Sequence, residues 1–116
     1  MTRVAIRPNS MAVTFTRAEK VAGLLRDQEV PLAAVRSVEV VPDGISAARG
    51  LRAPGLGIPG YRKIGTWRGR GGRTLIVARS GRPALRITLD GQRYARLLLD
   101  VDHPTEVAAA LARATR

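Results

Sequence analysis

Apolar and polar residues alternate with a period of two along most of this chain, the pattern of strands that bury one face. Residues 2–7 set Val4 and Ile6 on one side, and Pro8-Asn9-Ser10 supplies turn chemistry. Residues 11–16 alternate again with Met11, Val13 and Phe15 inward, so the two segments predict a hairpin. Thr16 opens a T-x-x-E capping box with Glu19, which predicts a short helix. Its apolar face is Ala18, Val21, Ala22 and Leu25, and Arg26-Asp27 ends it. Residues 28–30 predict a brief strand stopped by Pro31, and Leu32-Ala33-Ala34 a single turn. Residues 35–41 are dense in β-branched side chains and predict a strand that Pro42-Asp43-Gly44 breaks.

The second half repeats the pattern. Residues 65–68 and 74–78 predict a hairpin, with Gly71-Gly72 supplying the positive φ angles of a tight turn. Ser80-Gly81-Arg82-Pro83 turns the chain again. Leu85, Ile87 and Leu89 alternate with Arg86 and Thr88, and Asp90-Gly91 is a hairpin signal. Residues 94–101 predict the last strand, with Ala95, Leu97, Leu99 and Val101 on one face. Asp102-His103-Pro104 then starts a helix, its first turn completed by Glu106 and its apolar stripe by Val107, Ala108, Leu111 and Ala112. The sum is a mainly β chain of seven or eight short strands, joined largely by hairpins and closed by one C-terminal helix.

One stretch breaks this regularity. Residues 49–73 hold eight of the twelve glycines, two prolines, the single Trp, seven basic residues and no acidic one. Little regular structure is expected there before Ile64. At 116 residues the chain suits a single domain, 1–116, that carries a basic Gly-rich loop over 44–73. Aromatics make up only 3%, so the core must come from Val, Leu, Ile and Ala.

Charge sharpens the contrast. The net charge is +11, and ten basic residues lie between Asp43 and Asp90 with no acid among them. The rest of the chain holds ten basic and nine acidic residues and is nearly neutral. Such a field concentrates polyanions. The candidate contacts are Arg49, Arg52, Arg62, Lys63, Arg68, Arg70 and Arg73, with Trp67 either a stacking or inserting group or the largest core side chain. Interleaved aromatics and guanidinium groups suit unpaired bases, and a cationic patch with Leu56, Ile58 and Trp67 suits anionic lipid. Sheet edges suit an added peptide strand or a second copy of the chain.

Other signals exclude chemistry. There is no cysteine, hence no disulfide, thiolate metal site or thiol nucleophile. Gly55, Gly57 and Gly60 spell G-x-G-x-x-G, but Pro59 sits inside and no helical pattern follows, so a flexible or tightly turned loop is the better reading than a phosphate loop. His103 is a lone histidine, which reads as a helix-cap or exposed residue and not a ligand. Asp100 and Asp102 read as one solvated residue and one cap, not as an acid/base pair. No enzymatic activity, cofactor or metal is expected. The first ten residues lack the apolar segment of a signal peptide, and no apolar run approaches a membrane span. The expectation is a cytoplasmic protein, peripheral at most at the inner face of the membrane.

Several local patterns resemble those of bacterial pleckstrin-homology-like domain proteins, common in actinobacteria. They are Val30-Pro31-Leu32-Ala33-Ala34-Val35 leading into a strand, Arg52-Ala53-Pro54-Gly55-Leu56-Gly57-Ile58-Pro59-Gly60, Gly65-Thr66-Trp67, and Val101-Asp102-His103-Pro104-Thr105-Glu106-Val107. The resemblance implies two nearly orthogonal antiparallel sheets in a partly open barrel of about seven strands, capped by the C-terminal helix. It implies no enzymatic activity, and family members that bind ligands are best known for phosphoinositides or peptide partners. With the basic loop as the binding face, the expectation is a non-catalytic binding or scaffolding module for an acidic protein or peptide or an anionic membrane surface. The alternative is single-stranded nucleic acid held by the same loop. The chain departs from the family's lipid-binding pattern, because the first turn, Pro8-Asn9-Ser10, has only Arg7 beside it. Any anion site is therefore expected on the 49–73 side.

Overall fold

The computed structural model of the chain describes residues 2–23, 26–42, 55–58, 62–69, 71–79 and 81–115. Among them the strands are β1 (Arg3–Ile6), β2 (Ser10–Thr14), β3 (Gln28–Pro31), β4 (Val35–Val41), β5 (Gly55–Ile58), β6 (Arg62–Gly69), β7 (Gly72–Arg79), β8 (Ala84–Leu89) and β9 (Arg96–Leu99). Helix α1 (Arg17–Gly23) follows β2, a 3-10 turn occupies Leu32–Ala34, and helix α2 (Pro104–Ala114) closes the described chain.

The local signals act as expected at both helices. Thr16 Oγ1 accepts from the Glu19 amide at 3.2 Å, and Glu19 Oε1 accepts from the Thr16 amide at 2.8 Å, so the capping box is closed in both directions. The second carboxylate oxygen of Glu19 accepts from the buried Thr2 hydroxyl at 3.1 Å. Asp27, just beyond α1, accepts from the Phe15 amide at 2.9 Å and from Lys20 Nζ at 3.1 Å. That amide and then that ammonium hold its carboxyl below the usual value of 3.8. Helix α2 starts at Pro104, with His103 at the N-cap in the left-handed region (φ 53, ψ 57) and no side-chain cap.

The strands form two sheets. The smaller has the order β1-β2-β3 and the larger β4-β8-β9-β7-β6-β5. They share one core: Met11, Val13, Phe15, Val30 and Leu32 from the first side meet Ile64, Leu75, Val77, Leu85, Ile87, Leu97 and Leu99 from the larger sheet, with Leu111 of α2. A second cluster, Val41, Trp67, Ile76, Ala78, Ala84 and Leu98, lies on the opposite face of the larger sheet by strand alternation. The central strands are thus buried on both sides.

The mainly β class and the C-terminal helix match the expectation, and three details correct it. Among the described residues there are nine strands where about seven were expected, in two sheets that do not form a closed barrel. One pairing is parallel: Thr74, Leu75, Ile76 and Val77 of β7 stand beside Arg96, Leu97, Leu98 and Leu99 of β9. Strand β9 is inserted between β7 and β8, which run in opposite directions, so the Arg79–Ala84 connection must cross over the end of β9. It spans two strand spacings, roughly 10 Å, within reach of the chain it has. Finally, the stretch expected to be irregular before Ile64 contains β5 and the start of β6, paired with Gly55 opposite Gly65 and Ile58 opposite Arg62. A strand hairpin therefore stands where a phosphate loop would require a helix.

Candidate functional site

Strand β6 divides the basic stretch. Arg62 and Arg68 are six residues apart on one strand, roughly 20 Å at about 3.3 Å per residue. Arg62 and Lys63 therefore begin the strand, and Arg68 ends it. One continuous basic patch was expected, and the strand pulls it into two ends. Arg49, Arg52 and Arg70 lie outside the described residues, and of Arg62 and Lys63 only the backbone is described.

At the β6–β7 turn, Arg68 stands directly opposite Arg73, and Gly69 opposite Gly72. Like charges facing each other across a strand pair repel. The turn itself explains its glycines. Gly72 has φ 110, which a side chain would strain, and a Cβ on Gly71 would lie 2.6 Å from Nη2 of Arg96. The Arg96 guanidinium therefore lies against the backbone of this turn, brought there by the β7–β9 pairing and by the Ala95 amide donating to the Arg73 carbonyl at 2.8 Å. Three arginines thus lie at one end of the sheet, Arg68 and Arg73 on one face by strand alternation and Arg96, in register with Thr74, on the other. Arg93 stands three residues before Arg96, its guanidinium carbon 5.9 Å from the Tyr94 ring centroid.

No carboxylate among the described residues pairs with Arg68, Arg73 or Arg96. The acids go elsewhere: Asp90 holds Arg36 at 2.7 Å, Glu39 holds Arg86 at 2.7 Å, Asp27 holds Lys20 at 3.1 Å, and Glu29 reaches Arg7 only at 4.0 Å. At the far end of the sheet the buried Asp100 takes two arginines, Arg79 at 3.1 Å and Arg82 at 3.3 Å. Asp100 is thus neither solvated nor a cap, which corrects that expectation.

Of the two roles expected for Trp67, the structure shows the core one. It is 4% exposed and packs with Val41, Ile76, Ala78, Ala84 and Leu98, so its indole serves the core and offers no face for stacking or insertion. In a chain with one Trp and one Phe, the largest apolar side chain fills the second face of a sheet buried on both sides.

Sequence reasoning found Arg68 and Arg73 and missed Arg96, which lies more than twenty residues downstream. The usable signal was the unbroken apolar runs Leu75-Ile76-Val77-Ala78 and Leu97-Leu98-Leu99. Such runs mark central strands covered on both faces, and two of them are candidates for parallel neighbours. Among the described residues no helix is long and apolar enough to cross a membrane. Comparison of the chain with protein-family models, curated proteins and solved structures gives no match in any of the three.

Proposed function

We propose that this chain is a non-catalytic binding module that docks an acidic segment of a partner protein onto the Arg68–Arg73–Arg96 end of its larger sheet. The observation that carries the proposal is the Arg68–Arg73 cross-strand pair, two opposed cations with no carboxylate partner among the described residues. An arriving carboxylate relieves the repulsion and gains charge-assisted hydrogen bonds from planar donors. The finer fold reading, a bacterial pleckstrin-homology-like domain acting as a scaffold, belongs to the same proposal. A mainly β shell with a closing helix supports it; the parallel pair speaks against a strict match.

Among the described residues, burial of Trp67 leaves no aromatic or apolar group beside these arginines for stacking or insertion, which favours an acidic peptide over the other polyanions; the side chains of Leu56 and Ile58 lie outside the described residues. Single strands want exposed aromatic platforms, and anionic membranes want an apolar insert beside the charge. The test uses three probes at about 0.15 M salt: a labelled polyglutamate peptide, single-stranded RNA, and phosphatidylcholine vesicles with or without phosphatidylserine. Polyglutamate should bind, and Arg68→Gln with Arg73→Gln should weaken it roughly three- to thirtyfold. Binding that ignores the double substitution sinks the proposal. RNA that displaces the peptide and binds more tightly moves the function to nucleic acid, and pelleting with anionic vesicles that survives RNA moves it to the membrane surface.

A further inference from the structure

The crossing connection between β7 and β8 holds a second arrangement of arginines, unlike the first. Asp100 follows β9, and its amide donates to the Val77 carbonyl at 2.6 Å, so its position is fixed by the parallel pairing. Its side chain is 3% exposed. Arg79 closes β7 and approaches Oδ2 through Nε; Arg82 lies in the crossing connection and approaches Oδ1 through Nε. A buried carboxylate is tolerable only with such partners. As a strut, it ties both ends of the connection to the strand it crosses.

A strut alone leaves much of the chemistry unused. Each guanidinium carries five donors, of which Nε–H is the one that approaches Asp100. The two side chains are 39% and 45% exposed, so both are reachable from solvent. Between them Gly81 adopts φ 72 with nothing within 4 Å of where a Cβ would stand, which leaves an open ledge. Oδ1 of Asp100 is buried without an aligned hydrogen bond, although Arg82 Nε is 3.3 Å away, so Arg82 is held by charge. The backbone pairing also sets Arg62 opposite Arg79, adding a third positive residue to this end.

We propose that Arg79 and Arg82, oriented by Asp100, form a site for a phosphate group such as a phosphate monoester or pyrophosphate. Two planar forks held on one carboxylate, with open space at Gly81 between them in sequence, suit a tetrahedral anion with three or more acceptor oxygens better than a single carboxylate. Asp100 is a positioning residue here: it touches the arginines and not the ligand. The site stands roughly 20 Å along β7 from the Arg73 end and is independent of the acidic-segment proposal.

Sign decides the test. If charge alone attracted anions, Asp100→Asn would raise the local charge by one and tighten binding. If Asp100 positions the forks, the same substitution weakens binding. Inorganic pyrophosphate would be titrated into the full chain while the Nε–H signals of arginine are followed by NMR. The expected result is saturable shifts at Arg79 and Arg82, with affinity reduced roughly tenfold by Asp100→Asn, the equivalent of one charged hydrogen bond. Arg82→Lys keeps the charge, removes the fork at an exposed position, and should weaken binding by a similar factor, whereas Arg68→Lys should not. Tighter binding to Asp100→Asn, equal losses from Arg82→Lys and Arg68→Lys, or shifts that never saturate would each overturn the site. Should Asp100→Asn fail to fold, the two lysine variants decide between the same outcomes.

Discussion

Arg73 and Arg79 stand six residues apart on one strand, in opposite electrostatic surroundings. At the first end, Arg73 faces Arg68 across the hairpin and Arg96 lies against the turn, with no carboxylate in contact among the described residues. At the second, a carboxylate buried under the crossing connection holds Arg79 and Arg82. Among the described residues, the same residue type is a charge without a carboxylate partner in one place and part of a built structure in the other. Net charge identifies neither. What separates the two ends is the loop that must be tied down: a two-strand hairpin needs no strut, whereas a connection that crosses a strand does.

The largest expected effects come from breaking the built end. Arg79→Ala with Arg82→Ala strands a buried carboxylate and should cost about 3–5 kcal/mol in chemical denaturation. Asp100→Ala should cost less, because it leaves two arginines that water can solvate. The reverse ranking would mean that the carboxylate is not the buried partner. An effect of similar size is expected at Trp67, next in sequence to the open end: Trp67→Ala should lose about 3–5 kcal/mol. Trp67→Phe should leave polyglutamate binding unchanged, and a selective loss of that binding would restore the indole as a contact residue.

At the open end the sign should invert. Arg68→Gln with Arg73→Gln removes a repulsion and should leave stability unchanged or raise it by up to about 1 kcal/mol, measured by the same denaturation. A clear loss would show that those arginines have structural partners. The smallest effect tests a charge away from both ends. Asp27 has its carboxyl held below 3.8 by the Phe15 amide and Lys20, so the folded state binds its proton less readily than the unfolded chain. The stability this gives is complete above 3.8 and is lost as pH falls through the lower folded value. Thermal melts of wild type and Asp27→Asn should therefore converge only in that acid range; a gap that closes above 3.8 would contradict the assignment.

Much of this was legible from local pattern. The capping box at Thr16 and Glu19, the inward set Met11, Val13 and Phe15, the strand over 35–41, the β6–β7 turn and the Pro104 start of α2 all stand where residue chemistry puts them. Arg68 and Arg73 were readable as candidate contacts for the same reason, since they flank glycines in a basic stretch. The division of that stretch into two ends was not readable, because it depends on β6 being a full eight-residue strand.

Sequence by itself determined the short-range features, since capping, turn geometry and strand alternation depend on neighbours a few residues away. It also determined the excess of positive charge and where along the chain that charge falls. Only the tertiary structure decided that β9 enters between β7 and β8, that Trp67 is covered, that Arg96 meets the β6–β7 turn, and that Asp100 lies beneath two arginines. Each of these needs residues distant in sequence to be brought together. The energy that does so is burial of the runs at 75–78 and 97–99 on both faces, which no local segment can achieve alone.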